Sequence, residues 1–378
     1  MITTPLIYLF SIALITLSIA SLEHYSKHKL FSYLPSVVLI YATTMLFAQL
    51  GLFEPNSEIN AAYKSIKTIL LPAMLFVMLL KIELSAFMKL GRSLIIAYVG
   101  AVLSLSFAFI SLFWLFQLNQ DEAALFATLA GSWTGGTANM LAIASALEVK
   151  EALMGYALIV DSIDYTLWVM TLLMLVGFAP TFNRWSKASF HLEHLVDAPS
   201  QEREKPNPLL LVALFTFALF MAYISNTLAT FMPALSSTTW SVLFATLFGL
   251  IGSFTPLKKI PASTLLASGM LMFLIGLIGS HAKLEGFEAV PFYLLIGLLI
   301  LAVHALFMVI LAKIFRLDLF SIGVASLANI GGVASAPILA AAYNRSLIGV
   351  AVLMAIMGYL IGTFVGLSIG YILQSIAS

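Results

Sequence analysis

The chain has 378 residues, of which 61% are hydrophobic and 9% are charged. A soluble globular protein carries about 25% charged residues, so most of this surface is expected to face lipid. The formal net charge of +1 provides no basic footprint for nucleic acid, and the absence of cysteine excludes disulfides, thiolate metal sites and cysteine nucleophiles.

Hydropathy divides the chain into twelve apolar segments, most of them long enough to cross a hydrocarbon core, which needs about 20 helical residues. The first segment contains no Lys or Arg, so we interpret it as a membrane helix rather than a cleaved signal peptide. The third and ninth segments are the shortest, and we expect them to be tilted or partly re-entrant. The twelve lie near residues 2–20, 31–53, 66–82, 93–117, 122–147, 152–180, 208–228, 238–256, 264–280, 289–315, 317–343 and 346–376.

A polar stretch at 181–207 separates two apolar halves, 1–180 and 208–378, and is too polar to span a membrane. Shifting the numbering by 196 residues superposes segment boundaries and glycine pairs of the two halves. This pattern predicts two structural repeats within one integral membrane domain.

The relative orientation of the repeats follows from the charged loops, but two indicators disagree. Under the positive-inside rule, the basic residues of the first, third, eighth and tenth loops belong on one side of the membrane, which makes the repeats antiparallel. Six simple crossings in each half would make them parallel instead. The basic residues are Lys27, Lys29, Lys81, Lys89, Arg92, Lys258, Lys259, Lys313 and Arg316.

Two stretches rich in glycine and small polar residues interrupt otherwise apolar segments, at 131–139 (GSWTGGTAN) and 328–337 (ANIGGVASAP). Paired glycines favour unwinding, and the backbone groups that unwinding frees cannot be satisfied by hydrocarbon. Two such interruptions at matching places predict a binding site near the bilayer midplane, formed by discontinuous helices.

The first of these stretches and the segment around Asp161 resemble the first core motif of domain-of-unknown-function family 819, a family of bacterial membrane proteins. The second stretch, together with the 358–362 segment (GYLIG), resembles the second core motif. The similarity covers nearly the whole chain. This family is in turn similar to the wider group of bile-acid/sodium symporters and cation/proton antiporters.

The resemblance implies an all-α polytopic membrane protein with two inverted repeats. It implies a panel domain and a core domain in which two discontinuous helices cross, and transport by alternating access. The second motif departs from the first, because Val333 and Ser335 stand opposite Thr137 and Asn139. We therefore expect the ion ligands to be weighted toward the first repeat.

Two carboxylates, Asp161 and Asp164, lie at membrane depth on one face of the same predicted helix. A carboxylate at the bilayer centre costs about 2.5–3.5 kcal/mol on insertion scales, so it normally faces a cavity, a partner or an ion. We predict a cation or proton site there. Asp161 is the stronger candidate, because the resemblance places the acidic residue of the family at that position.

The polar residues at the interruptions complete the predicted site. Sodium prefers several oxygen ligands, and unwound backbone and hydroxyl or amide side chains supply them. The alternative role of these side chains is to cap the half-helices. The ion-binding candidates are Asp161, Asp164, Asn139, Thr137 and Ser132, with sodium at Asp161, Asn139 and Thr137. The substrate-binding candidates are Trp133, Thr134, Gly135, Gly136, Asn329, Gly331, Gly332 and Ser335.

Other functional classes find less support. The sequence has no HExxH or GxSxG motif, and His191 and His194 lie in the polar linker, so we expect no enzyme and no catalytic residues. A lone His304 in an apolar segment is expected to be a hydrogen-bonded core residue rather than a proton relay.

The sequence therefore predicts an ion-coupled secondary active transporter of a small, anionic organic solute, located in the inner (plasma) membrane as a multi-pass protein. A monovalent cation/proton antiporter is the alternative, and sodium and protons both remain open as coupling ions. We expect no cofactor. The expected partners are the solute and the lipid bilayer, with a homodimer through the panel helices as an open option.

Overall fold

The computed structural model describes residues 2–26, 36–53, 56–82, 84, 87, 90–188, 206–233, 235–282, 287–344 and 347–378. Nearly all of these residues are helical, and no strand occurs among them beyond an isolated bridge between Ile2 and Phe53. The helices are α1 (Pro5–Ser26), α2 (Ser36–Gln49), α3 (Ser57–Leu79), α4 (Arg92–Phe116), α5 (Gln120–Gly135), α6 (Thr137–Ala146), α7 (Glu151–Leu175), α8 (Ala179–Ser186), α9 (Pro208–Ala229), α10 (Ser237–Ser253), α11 (Ser263–Gly279), α12 (Val290–Phe315), α13 (Leu319–Ile330), α14 (Gly332–Tyr343) and α15 (Ile348–Ala377).

Length and composition make the described chain a membrane protein. Seven of its helices are long and apolar enough to cross a bilayer. Six further apolar helices are shorter. Among them are α6, which follows α5 directly, and the consecutive pair α13 and α14. The prediction of an all-helical membrane protein is confirmed.

The predicted third segment, 66–82, was expected to be short, and this expectation is wrong. Helix α3 begins earlier, at Ser57, because the Asn56 side chain caps it by accepting the backbone N–H of Ile59 at 2.8 Å. Its first turns are polar, and hydropathy alone therefore missed them. Helix α11, the ninth segment, is short as predicted.

Several sequence-predicted features lie outside the described residues. They are residues 189–205 of the polar linker, including His191 and His194, and the basic residues Lys27, Lys29 and Lys89.

Contacts group the chain into two compact units that interleave along the sequence. Unit 1 comprises Met1–Leu80, Ala144–Ser162 and Lys205–Pro291. Unit 2 comprises Lys81–Ile143, Ile163–Glu204 and Phe292–Ser378. The continuous helix α7 therefore starts in unit 1 and ends in unit 2.

Unit 1 is organised around α3, which packs against α9, α10 and α11, while α1 and α2 also pack on α11. Its core includes a cluster in which Tyr8 and Ile12 of α1 meet Ile59 and Tyr63 of α3 and Leu277 of α11. Burial of these large side chains holds together helices that are distant in sequence.

Unit 2 is organised around the contact between α5 and α15, with α4 and α13 packed on both. The two backbones approach closely because glycines line the crossing. A Cβ built on Gly362 would lie 2.6 Å from the Cα of Gly135, and one built on Gly366 would lie 3.0 Å from the Cα of Gly131. Small residues at such spacing let membrane helices approach without side chains between them. The crossing therefore depends on the absence of side chains at these positions.

Substitution of glycine by alanine should have opposite effects inside this crossing and at a helical glycine elsewhere. Gly362→Ala should lower the free energy of unfolding by about 1–3 kcal/mol, because the added methyl group meets backbone. Gly269→Ala, in α11, has open space around it, and should be neutral or stabilising by up to about 1 kcal/mol because alanine favours helix. Thermal unfolding of the purified proteins in detergent measures both changes. A Gly362→Ala protein as stable as the wild type would contradict the close crossing.

Candidate functional site

The first interruption lies at Gly136, between α5 and α6. Helix α5 has a fixed start, because Asn119 and Glu122 accept each other's backbone N–H groups in a capping box. At Gly136, φ is 81° and ψ is 176°, a conformation that is essentially restricted to glycine. Its N–H still donates to the carbonyl of Ser132. The predicted interruption is therefore confirmed, and it is one residue wide.

Asn139 joins this interruption to α15. Its Nδ2 donates to the carbonyls of Gly135 at 2.9 Å, Gly358 at 3.2 Å and Tyr359 at 3.3 Å. Its Oδ1 accepts the hydroxyl of Thr363 at 2.5 Å. Three carbonyls around one amide atom fix the orientation of the side chain, because only the nitrogen can donate. The side chain predicted as an ion ligand thus holds α5, α6 and α15 together.

The second interruption lies at the other glycine pair. Helix α13 ends at Ile330, the N–H of Gly331 donates to the carbonyl of Leu327 at 2.9 Å, and α14 begins at Gly332 with φ of 57°. No side chain caps the start of α14. The second predicted interruption is also confirmed, and the backbone N–H groups in the first turn of α14 lack the side-chain acceptor that many helix starts have.

Two polar side chains beside this second interruption have buried oxygen atoms without a hydrogen-bond partner among the described residues. Asn329 uses its Nδ2 to donate to the carbonyl of Ala325 at 2.9 Å, which leaves its Oδ1 unpaired. The hydroxyl oxygen of Ser335 is likewise unpaired, and both residues are fully buried. A buried unpaired polar atom costs about 1–3 kcal/mol. These two oxygens are therefore available to a ligand.

The two predicted acids lie one turn apart on α7 with different burial. Asp164 is fully buried, whereas Asp161 is half-buried. In unit 2, α7 lies against the second interruption, since a Cβ built on Gly331 would lie 2.5 Å from the ring of Tyr165 and 1.9 Å from the hydroxyl of Ser335. The structure thus brings the residue next to Asp164 into contact with the same glycine as Ser335.

The remaining candidates of the first stretch lie inside unit 2. Trp133 is fully buried and packs edge to face on Phe109, with ring centroids 5.5 Å apart. Its side chain therefore packs α5 against α4. Thr134 donates its hydroxyl to the carbonyl of Ala130 at 2.7 Å. Ser132 is buried, and Thr137 is half-buried at the first position of α6.

Sequence reasoning missed Thr363 and the carbonyls of Gly358 and Tyr359 as partners of Asn139. The signal was present, because glycines recur every fourth residue from Gly358 to Gly370 in α15, which is typical of a close helix crossing. What the sequence did not supply was the identity of the helix on the other side.

His304 is a hydrogen-bonded core residue, as predicted. It is fully buried, with Nδ1 at 2.6 Å from the hydroxyl of Ser104 and Nε2 at 2.8 Å from the hydroxyl of Ser326. Ser104 donates its own hydrogen to Ala101, so the Nδ1–H of His304 donates to Ser104. The indole N–H of Trp168 donates to Ser326 at 2.9 Å, which leaves the hydroxyl hydrogen for Nε2. This network ties α4, α7, α12 and α13.

Comparison with known proteins identifies the family. The family model described as "Protein of unknown function (DUF819)" matches residues 9–376. The chain belongs to this family. The resemblance found in the glycine stretches is thereby confirmed for DUF819 itself. No curated protein that was compared matches the chain.

In this DUF819 protein, removal of the Asn139 amide should destabilise the fold. Asn139→Ala leaves the hydroxyl of Thr363 and the carbonyls of Gly135, Gly358 and Tyr359 without this partner, so the free energy of unfolding should fall by about 1–3 kcal/mol. Thr171→Val, which removes an exposed hydroxyl that bonds only within its own helix, should change it by less than about 0.5 kcal/mol. Thermal unfolding in detergent compares the two. Equal losses would show that Asn139 does not join the interruption to α15.

Proposed function

We propose that the protein is an ion-coupled secondary active transporter of a small, anionic organic solute that works by alternating access. Sodium or a proton is the coupling ion. The observation that carries the proposal is a pair of buried oxygens, Asn329 Oδ1 and Ser335 Oγ, that have no hydrogen-bond partner among the described residues and lie beside a helix interruption. Hydrocarbon cannot satisfy such atoms, and a cation or a hydroxyl-bearing solute can.

The interruptions also supply donors for an anion. Helix α14 begins at Gly332 without a side-chain cap, and its first N–H groups form the positive end of the helix dipole. Such an N-terminus favours a carboxylate or another anionic group. Asn329 and Ser335 supply oxygen acceptors, and the start of α14 supplies backbone N–H donors. A cation at the oxygens and an anionic group of the solute at the N–H groups match this arrangement best.

The carboxylates provide the charge for coupling. Asp161 and Asp164 lie at i and i+3 on α7, so they share one helix face. A buried carboxylate such as Asp164 is retained in a membrane protein when it has a partner or an ion. Within unit 2, α7 contacts the second interruption through Tyr165 and Gly331, and Asp164 is the residue that precedes Tyr165.

The architecture that we propose is two inverted repeats with a panel domain and a core domain. In support, unit 1 gathers the first three helices of each half, and unit 2 contains both interrupted helices. The shift of 196 residues that relates the glycine pairs in sequence also relates Gly136 to Gly332, both of which have positive φ. We propose, on this basis, the wider relationship to bile-acid/sodium symporters and cation/proton antiporters, and a place in the inner membrane.

A monovalent cation/proton antiporter is the second candidate. The observation that favours it is the pair of acids on one helix face, because two close carboxylates raise the affinity of one of them for a proton. An antiporter needs that exchange and no organic solute. The polar atoms at the second interruption, which a simple antiporter does not need, are the reason to rank symport first.

Replacement of Asp161 tests the ion site. Asp161→Asn should abolish ion-gradient-driven flux in proteoliposomes, because it removes the charge that the coupling ion neutralises, and the protein should retain its melting temperature within a few degrees. Asp121→Asn, the same substitution at an exposed position in the first turn of α5, should leave the flux unchanged. Undiminished flux in Asp161→Asn would contradict the assignment.

The same vesicles distinguish symport from antiport. A trapped pH-sensitive dye reports proton movement after a sodium jump, with and without a small carboxylate chosen by thermal-shift screening. Proton movement that needs only sodium supports antiport. Sodium-driven uptake of the carboxylate without proton release supports symport.

A further inference from the structure

A separate polar cluster lies in unit 1, centred on His281 just after α11. Its imidazole Nδ1 lies 3.3 Å from the hydroxyl of Tyr8 and 3.2 Å from the hydroxyl of Ser280, and its Nε2 lies 3.1 Å from Oδ1 of Asn60. The residues come from α1, α3 and the end of α11. Neither predicted acid nor either glycine interruption belongs to this cluster.

The hydroxyl hydrogens of Tyr8 and Ser280, which lie on the Nδ1 side of His281, are used in other hydrogen bonds. Ser280 donates its hydroxyl to the carbonyl of Leu277 at 2.7 Å, since a carbonyl can only accept. The 2.6 Å contact between Tyr8 and Ser280 is then a donation from Tyr8 to Ser280. Both hydroxyl oxygens near Nδ1 therefore present lone pairs to it. Only an Nδ1 that carries a hydrogen completes the chain from His281 through Tyr8 and Ser280 to Leu277.

The Nε2 side makes the same demand, because Asn60 presents its amide oxygen. With the amide oxygen of Asn60 on Nε2, every hydrogen bond around His281 is satisfied when both nitrogens are protonated, which is the imidazolium form. The neutral imidazole is satisfied only if the Asn60 amide turns over, so that its NH2 group donates to Nε2.

The ring of Tyr63 adds a further contact that suits a cation. It stacks on His281 with centroids 3.8 Å apart and an interplanar angle of 19°. Its hydroxyl donates to Oε1 of Glu151 at 2.8 Å and accepts from Nζ of Lys67 at 3.2 Å. A cation over an aromatic face is stabilised by the ring's electrons, and the carboxylate at the far end of the tyrosine adds to this attraction.

Glu151 also makes the contacts that hold the start of α7 in unit 1. It is the first residue of α7, its carbonyl accepts the hydroxyl of Tyr41 at 2.7 Å, and its carboxylate lies 3.9 Å from Nζ of Lys67. Gly155 allows Tyr41 to approach, since a Cβ there would lie 2.8 Å from the tyrosine oxygen. Tyr63 thus contacts both the imidazole of His281, through its ring, and Glu151 at the start of α7, through its hydroxyl.

We propose that His281 binds a proton within the folded protein, at a site stacked on Tyr63, whose hydroxyl contacts Glu151 at the start of α7. The groups that face it are Tyr8 from α1, Asn60, Tyr63 and Lys67 from α3, and Glu151 from α7; Lys283 and Glu285 lie outside the described residues. The proposal stands apart from transport, because it concerns other residues and its test needs no solute.

The charges set the direction of the titration. Burial lowers the pKa of His281, the carboxylate of Glu151 raises it, and the ammonium of Lys67 lowers it again. Since the folded-state pKa lies below the ordinary value of about 6.5, stability is lost as the pH falls below that value. The acceptors at the ring nitrogens stabilise the protonated ring and limit this loss, so we expect His281 to take up its proton while the protein is still folded.

Solid-state ¹⁵N NMR of histidine-labelled full-length protein in liposomes tests the proposal, with His281→Gln to assign the signal. On acidification, the His281 signal should change to that of an imidazolium while the protein stays folded. Tyr8→Phe and Asn60→Leu should each move the midpoint to lower pH, because each removes an acceptor. Tyr223→Phe, an exposed tyrosine of α9, should leave the midpoint unchanged.

Lys67→Met keeps the test decisive if an acceptor variant fails to fold, because it removes a nearby positive charge and should move the midpoint to higher pH. A His281 signal that stays neutral until the protein unfolds would overturn the proposal. The proposal would also be overturned if Lys67→Met and every folded acceptor variant had the same titration midpoint as the wild type.

Discussion

The close approach of α5 and α15 is the constraint on which unit 2 depends. With glycines at the crossing, the backbone of Gly135 lies directly against that of Gly358 and Gly362. This proximity lets one amide, Asn139, reach carbonyls of both helices. An alanine in the crossing would separate the helices and break those bonds. The interruption at Gly136 is therefore stabilised from outside its own helix, by a partner more than 200 residues further along the chain.

The two interruptions are alike in sequence and differ in how their polar groups are satisfied. At the first, the Asn139 side chain makes hydrogen bonds through both its oxygen and its nitrogen. At the second, the oxygens of Asn329 and Ser335 have no partner among the described residues. Identical repeats would be equally satisfied. On this basis we propose that the first interruption has a structural role and that the second, which α7 contacts through Tyr165, binds ligands. The sequence predicts the opposite weighting of the ion ligands, from residue types alone, and this stays a prediction.

Much of the fold followed from the sequence because its strongest determinants are local. Apolar segments of sufficient length predict membrane helices, and a paired glycine inside one predicts an interruption, as found at Gly136 and Gly332. The start of α3 was missed, because its polar first turns are stabilised by the Asn56 cap and by the pairing of Lys67 with Glu151. The roles of Asn139 and His281 were also not predictable. Both depend on partners from distant helices, which composition and spacing do not reveal.

The central claim is that the buried polar atoms beside the interruptions bind a coupling ion whose charge moves during the transport cycle. Transient currents of the reconstituted protein on a solid-supported membrane measure this most directly, after a sodium jump at constant pH and after a pH jump at constant sodium. The account predicts a current above that of protein-free vesicles for at least one of the two jumps, and its reduction in Asn329→Ala, which removes an unpaired oxygen. Absence of a current in both jumps would contradict it.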